Sequence, residues 1–500
     1  MNLTNCEGGT IYLVDQAKQN LKFEILRNKV LNVHQGGTSG KRVTIPNLPL
    51  YNPDGSPDLA KVVCSSYHLN STVNIDDAYN NLDYDFSGTK KMDTMLHYHS
   101  QSFLTVPMRD HESEIIGILQ LINSKDDDQK VAPFPLDSQT VVESLASQAA
   151  IALTNRLLIN RLEELFESFI GIINGAIDDK SPYTAGHCGR VPELTLMIAD
   201  AVNDVKVGPL CDFNMTEEDR HELKIAGLLH DCGKITTPVH IVDKATKLEA
   251  IFDRIALIES RVELVMRDLE IKQLKGEMDQ ASLKSKQEKL KDDFAFISKT
   301  NIGGEFMSDD HLNRIRSIAN EYSWTNMSGE SLPFLSDDEV KNLSIRAGTL
   351  TDEDRQVINH HIEVTITMLE KLPWPKHLRN VPEYAGGHHE RMDGKGYPRG
   401  LTRDQMSVQA RCMAIADIFE ALTASDRPYK KGKMLSESLA ILGKMKLGSH
   451  IDPDLFDVFI WERVYEKYAR QFLPKEQIDE VDVAKIPGYN PPPIKEKLAG

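Results

Sequence analysis

The string His388-His389-Glu390-Arg391-Met392-Asp393-Gly394-Lys395-Gly396-Tyr397-Pro398 constrains this chain more than any other stretch. Two adjacent histidines run into a turn punctuated by glycine and proline, where a backbone can bend sharply and let another group come close. A histidine pair alone is more often ordinary surface or core, so its meaning depends on what accompanies it. His230-Asp231 closes an apolar run, His360-His361 lies in a helical run, Asp417 sits inside a nearly all-apolar helix, and His187 follows a glycine. An ionised carboxylate in apolar surroundings is costly unless it is paired or metal-bound.

A chain of 500 residues is long enough for two or three domains, each with its own core. With 40% hydrophobic and 27% charged residues it has the composition of a globular protein. A formal charge of -17 argues against general nucleic-acid binding, which needs a basic surface, so an anionic substrate requires a local positive site such as a metal. Cys6, Cys64, Cys188, Cys211, Cys232 and Cys412 form no paired framework and no Cys-x-x-Cys unit, the usage of a reducing compartment. No stretch approaches the roughly 20 apolar residues of a membrane span, and no signal-peptide pattern opens the sequence. The expectation is a cytoplasmic protein without membrane or nucleic-acid partners.

Apolar and polar residues alternate in Thr10 to Asp15 and again in Leu21 to Leu26, which predicts strand, turn and strand. A Pro/Gly/Asn-rich stretch over 44–57 precedes a helical segment, Leu59 to Ser66. Phe103 to Met108 and Ile115 to Asn123 predict another strand pair. From Asp137 to Asp179 apolar residues recur at helical spacing, so one long helix leaves the first domain, ends at Ser181-Pro182, and is expected to pair with its copy in a homodimer. In 248–347, Leu248, Ile251, Ile255, Ile258, Val262, Val265 and Leu269 advance by threes and fours, and Gly276 breaks the series. Leu283, Leu290, Phe294 and Ile297 then predict the returning arm of a helical hairpin. Such a hairpin is either a surface decoration or an element for dimerisation, docking or gating. Residues 485–500 are rich in Pro and Lys and are expected to be disordered.

His230-Asp231-Cys232-Gly233-Lys234 followed by the His388-to-Pro398 string resembles the HD-GYP family, metal-dependent phosphohydrolases that cleave cyclic di-GMP. The segment before it, with Val106-Pro107-Met108 and the strand Gly117 to Asn123, resembles a GAF sensor domain. Only about eight residues precede its first strand where the family usually has a helix, so the domain is expected to be shortened at its start. Together these imply a multidomain α+β protein: a GAF-like antiparallel-sheet domain over 1–155, a connecting and dimerisation helix over 138–180, and an all-α HD-superfamily domain over 165–480. The 248–347 segment would be a helical insertion within that last domain.

The resemblance implies metal ligands at His187, His230, Asp231, His361, His388, His389 and Asp417. Setting Leu369 against the family's helix pattern selects His361 over His360, although Ile362 and Thr365 stand where that pattern usually has Pro and Gly. Tyr183 occupies a position where some members carry a Glu that supports a third metal, so two divalent ions are expected, iron or manganese by resemblance. Catalysis would fall to Asp231 and Lys234, and substrate contacts to Lys234, Arg427, Lys430 and the Gly394, Gly396 and Tyr397 turn. Arg427 and Lys430 form a charge pair in a loop, a pattern that is usually a solvated face. The Gly-Tyr-Pro turn is in the family also a surface for signalling partners. Glu420, by contrast, reads as free to face solvent.

Five imidazoles and two carboxylates suit borderline first-row divalent metals and not the oxygen-only sites of calcium. The implied reaction is hydrolysis of cyclic di-GMP to pGpG and on to GMP, under control of a sensor whose ligand the sequence does not name. Two readings stand beside it. One is the same fold acting on another cyclic dinucleotide such as cyclic GMP-AMP, or as a broader phosphohydrolase. The other is a non-catalytic signalling scaffold, against which the intact set of polar ligand positions argues.

Overall fold

The computed structural model describes residues 4–181, 186–304, 306–425 and 432–491. They divide into two compact units, Met1–Phe166 and Glu167–Gly500.

In the first unit β1 (Cys6–Val14), β2 (Asn20–Asn28), β3 (Val33–Gly36), β4 (Leu48–Pro49), β5 (Val73–Ile75), β6 (Phe103–Arg109), β7 (Ile115–Lys125) and β8 (Val131–Ala132) form one antiparallel sheet. The spatial order is β3-β2-β1-β7-β6-β5, so the first and last hairpins meet at the β1–β7 pair. Both faces are covered. Leu104, Val106, Met108 and Leu121 pack with Val142, Ala146 and Ala150, while Tyr12, Leu21, Leu50, Val63 and Ile118 form a second cluster.

Two helices differ from expectation. Helix α1 runs Val62–Leu69, three residues later than the periodicity suggests, because Asp58 accepts the Ala60 and Lys61 amides and holds those residues in a turn. Helix α2 (Ser87–Leu96) carries no apolar stripe; its one buried residue is Asp93, which accepts from Tyr79 Oη and the Ser100 amide and hydroxyl. Between α1, α2 and the sheet lies a cavity of about 550 Å³ lined by Tyr12, Phe23, Leu26, Val62, Phe86 and Gln120 among others. Helix α3 is a single element of 45 residues, Leu136–Lys180.

The second unit begins within α3 and continues with α4 (His187–Asn203) and α5 (Glu217–Leu229), a 3-10 turn Cys232–Thr236 and the short α6 (Val239–Val242). Thr216 and Asp219 form a capping box that fixes the start of α5 and hence the phase in which its far end presents His230.

The insertion is more than the expected hairpin. Helices α7 (Ile255–Leu274) and α8 (Gln280–Asn301) do pair, but α9 (Asp309–Glu321), a two-strand ribbon of β9 (Ser323–Thr325) and β10 (Ser331–Pro333), and α10 (Asp337–Leu343) complete it. Ile258, Leu290, Ile297, Ile315, Ile318, Phe334 and Leu343 share one core. The apolar positions 312, 315 and 318 are spaced for one helix face, yet charged neighbours hide them from a reading by runs.

The chain resumes with α11 (Asp352–Glu370), α12 (Val381–Gly386), α13 (Val408–Thr423), α14 (Leu435–Leu447), α15 (Pro453–Trp461) and α16 (Val464–Phe472). Glu222 of α5 is buried and accepts both the amide and the side-chain amide of Asn380, joining α5 to the start of α12. Disorder is expected from residue 485, yet residues 485–491 are packed against the domain. Ile486 is buried, Lys446 donates to the Gly488 carbonyl, and Trp461 Nε1 donates to the Asn490 carbonyl, while residues 492–500 lie outside the described residues. All six cysteines are free. No helix among the described residues is long and apolar enough to cross a membrane.

Candidate metal centre

Five segments of the second unit deliver the predicted residues to one place. His187 opens α4 behind Gly186, whose φ of 74° is readily taken by glycine. His230 caps α5 and Asp231 precedes the 3-10 turn. His361 lies in α11, His388 and His389 follow α12, and Asp417 lies in α13. His360 points elsewhere: it is exposed and bonds Glu363.

Asp231 is the hub. Its Oδ2 lies 3.2 Å from Nε2 of both His187 and His230, and its Oδ1 lies 3.2 Å from Nε2 of His361 and 4.0 Å from that of His388. Asp417 Oδ1 is 3.3 Å from His187 Nε2 and 4.0 Å from His230 Nε2. The donor atoms fall into two groups, His187, His230 and Asp231 in one and His361, His388 and His389 in the other, with all atoms of each group within 4.8 Å of one another. The two oxygens of one carboxylate therefore face the two groups.

Each ring is turned by its other nitrogen. Nδ1 of His230 donates to the Gly227 carbonyl at 2.7 Å, that of His388 to Ala385 at 2.6 Å, and that of His361 to Ile358. With the proton on Nδ1, Nε2 carries the lone pair, which is the tautomer a metal needs. Yet Nε2 of His230, His361 and His388 and Oδ1 of Asp231 are buried without a hydrogen-bond partner. Buried polar atoms are almost always satisfied, so four such atoms around one point fit a bound cation.

The electrostatics of the second donor group agree with that fit, whereas at His187 burial is outweighed by the carboxylates of Asp231, Asp417 and Glu420, which hold its imidazole well above the usual range. Burial, with the neighbouring His389 and His230, holds His388 well below the usual imidazole range, and burial brings His389 down to about 4. Burial works against the charge on Asp231, but Lys234, His230 and His187 outweigh it and keep the carboxyl well below its usual range. Lys234 Nζ sits 2.5 Å from Asp231 Oδ2.

Residues outside the predicted set hold the site in shape. Glu420 does not face solvent as its sequence suggests: it is buried, accepts from His187 Nδ1 at 2.5 Å, and is clasped by Arg190 at 2.7 Å. Its place three residues beyond Asp417, with Arg190 three beyond His187, was the available signal, since such pairs share a helix face. The Glu420→Gln variant is expected to bind metal about 10- to 100-fold more weakly, the usual loss when the partner of a ligating histidine is changed, as titration with manganese would measure. Gly233 has no room for a Cβ, which would lie 2.0 Å from the His361 carbonyl, and its amide donates to Thr365 Oγ1 at 2.9 Å. Thr365 thus serves the close approach of α11 to the His-Asp turn.

The glycines of the other turn serve the turn itself. Gly394 has φ 73°, and a Cβ on Gly396 would lie 2.4 Å from the Arg391 amide. Buried Glu390 accepts the amides of Arg399 and Leu401 and closes the loop. Tyr397 is the member of the turn that reaches the site, its ring stacked on His389 at 4.8 Å and 18°. Tyr183, Arg427 and Lys430 lie outside the described residues.

Residues 1–153 match the GAF domain family, and residues 184–295 and 331–455 match HD domain families. The first HD match contains His187, His230 and Asp231, the second His361, His388, His389 and Asp417, and the break between them falls in the insertion. A Vibrio cholerae protein named as a 3′3′-cGAMP-specific phosphodiesterase is 36% identical over 131 residues, 26% of each chain. A cyclic di-GMP phosphodiesterase of Pseudomonas aeruginosa is 36% identical over 115 residues, 23% of this chain and 27% of that one. A cyclic di-GMP phosphodiesterase response regulator of Xanthomonas campestris is 32% identical over 129 residues, 26% of this chain and 33% of that one. The chain thus spans a quarter to a third of the length of these curated relatives. Among solved structures, the GAF domain of an Acinetobacter phosphoenolpyruvate-protein phosphotransferase is 15% identical, with a TM-score of 0.20 over 31% of this chain and 77% of that one. The matched families thus give this chain a GAF domain region followed by an HD domain region, and the two strings that flank the insertion resemble those of the HD-GYP type.

Proposed function

We propose that the chain is a metal-dependent cyclic-dinucleotide phosphodiesterase that opens cyclic di-GMP to pGpG and then GMP, under control of its GAF domain. The observation that carries this reading is the convergence of buried donor atoms without protein partners on Asp231. His187, His230, Asp231, His361, His388, His389 and Asp417 would hold two divalent ions; the donor set suits borderline first-row metals, and the family resemblance favours iron or manganese. Such ions would supply Lewis acidity toward the phosphoryl oxygens and lower the pKa of water.

The chain's own groups do the positioning. Asp231 faces both donor groups and keeps them in register. Lys234 brings a point charge to the edge of the site, suited to a phosphoryl oxygen. Glu420 and Arg190 fix the His187 ring, and Tyr397 fixes that of His389. Arg427 and Lys430 remain the proposed phosphate contacts. The proposed bounds are 1–155 for the GAF domain, 165–480 for the HD domain and 248–347 for its insertion. The exposed turn bearing Lys395 is the proposed face for signalling partners.

We further read α3 as the dimer element. Leu158, Leu162, Leu165, Phe169 and Ile172 are all exposed, and they advance by four, three, four and three. That is a heptad seam wanting a second copy. Leu165→Asp is expected to shift the sedimentation coefficient from dimer to monomer.

The test of the activity is hydrolysis of cyclic di-GMP by protein purified without oxygen and loaded with iron or manganese. Turnover to pGpG or GMP is the expected result. The relative named for 3′3′-cGAMP makes that dinucleotide the second substrate to assay. Preference for it would change the substrate assignment, and metal without turnover of either would sink the phosphodiesterase reading.

A further inference from the structure

The last turn of α3 approaches the site from outside the predicted ligand set. Lys180 ends the helix, and its ammonium donates to three main-chain oxygens, of Lys234 at 3.0 Å, Ile235 at 2.5 Å and Thr237 at 2.6 Å. The Lys234 and Ile235 carbonyls lie near the end of the 3-10 turn Cys232–Thr236 and that of Thr237 just beyond it, and the C-terminal end of a helical segment favours a cation. Bonds from an ammonium are stronger than neutral ones, and three at once fix the turn tightly. The same end of α3 is itself held. Ile177 is buried, Ser181 Oγ donates to the Asp243 carboxylate, and Asp178 accepts the amide of Gly186, the residue before His187. One helical turn thus grips the backbone at Lys234 and the backbone that leads into His187.

We propose that Lys180 is a positioning residue that holds Lys234 at Asp231 through the backbone of residues 234–237, making the end of α3 the point where displacement of that helix changes the catalytic rate. Lys180 touches no predicted metal ligand and meets the proposed substrate contact Lys234 only at its main-chain carbonyl, so its influence passes through that backbone. A shift of α3 along its axis moves the ammonium with it, and the turn that carries Lys234 follows or loses its clamp. Because α3 continues into the GAF unit, the sensor has a covalent route to this lysine. The catalytic half of this inference rests on the phosphodiesterase reading; the mechanical half does not.

The experiment compares four full-length metal-loaded proteins: wild type, Lys180→Met, Lys234→Met and the double variant. Methionine keeps the length and apolar stem of lysine but offers no donor. Lys180→Met is expected to lower kcat about 10- to 100-fold with KM nearly unchanged and metal content retained. In the Lys234→Met background the same change should cost almost nothing more, because residues acting through one another are not additive. A purely structural staple would give additive losses, or loss of metal, and either overturns the proposal. Hydrogen exchange measured by mass spectrometry on the same proteins is expected to show amides of 232–238 exchanging about tenfold faster in Lys180→Met, with α13 unchanged. Unchanged exchange there also overturns it. If the wild type hydrolyses no cyclic dinucleotide, the phosphodiesterase reading falls, while exchange confined to 232–238 still upholds the clamp.

Discussion

Asp231→Asn is expected to lose both metal and turnover. The change keeps side-chain size, so it isolates the charge on the group that faces both halves of the donor set. Hydrolysis should fall by roughly a thousandfold or more, equivalent to about 4 kcal/mol of transition-state stabilisation. Metal per chain, measured by elemental analysis, should drop well below that of the wild type. The metal-free variant should also be less stable than the metal-free wild type by about 3 kcal/mol, because Lys234 is left without the carboxylate that balances it. Full metal content with unimpaired turnover would remove Asp231 from the centre of the site.

Stripping the metal with a chelator should lower the melting temperature of the HD unit far more than that of the GAF unit. Ions that bind only the folded site stabilise it by about 2.7 kcal/mol at a free concentration one hundred times the dissociation constant. For a unit of this size that corresponds to a shift of roughly 4 °C. The physical cause is already present in the apo geometry: imidazole nitrogens of His230, His361 and His388 are buried with their lone pairs unsatisfied. Restoring manganese should restore the transition. A calorimetric scan unchanged by chelator and by added manganese would mean that the cluster holds no metal.

How much of this was legible in the sequence varied with the physics involved. Strands β1, β2, β6 and β7 announced themselves because they flank turns and alternate, while β3, β4, β5 and β8 are too short to show a period; α3 was legible because its apolar residues keep one period along the helix. The donor residues could be named because imidazoles and carboxylates in apolar company are costly and therefore conspicuous. Helix α2 was invisible because it is held by polar contacts to Asp93 and not by an apolar stripe. Glu420 was misread for a related reason: an acidic residue in a helix ordinarily faces water, and only the fold reveals Arg190 and His187 waiting for it. The insertion showed its first two helices through their heptad spacing. Its third helix adds Leu312, Ile315 and Ile318 from between charged neighbours, and the ribbon adds the partly buried Trp324, to a core shared with distant helices that no run of sequence displays.

The insertion also bears on the order in which the protein is built. His187 and Glu420, which share a hydrogen bond, stand 233 residues apart, and the insertion with its self-contained core lies between them. Contacts of such separation close slowly, whereas local ones close fast, and a chain emerging from the ribosome folds its early parts first. The GAF sheet and the insertion can each be complete while His187 still lacks its partner. On the proposed reading the donor set is complete only once α13 has been made, and a ribosome stalled before residue 417 would display a folded sensor beside an incomplete chelator.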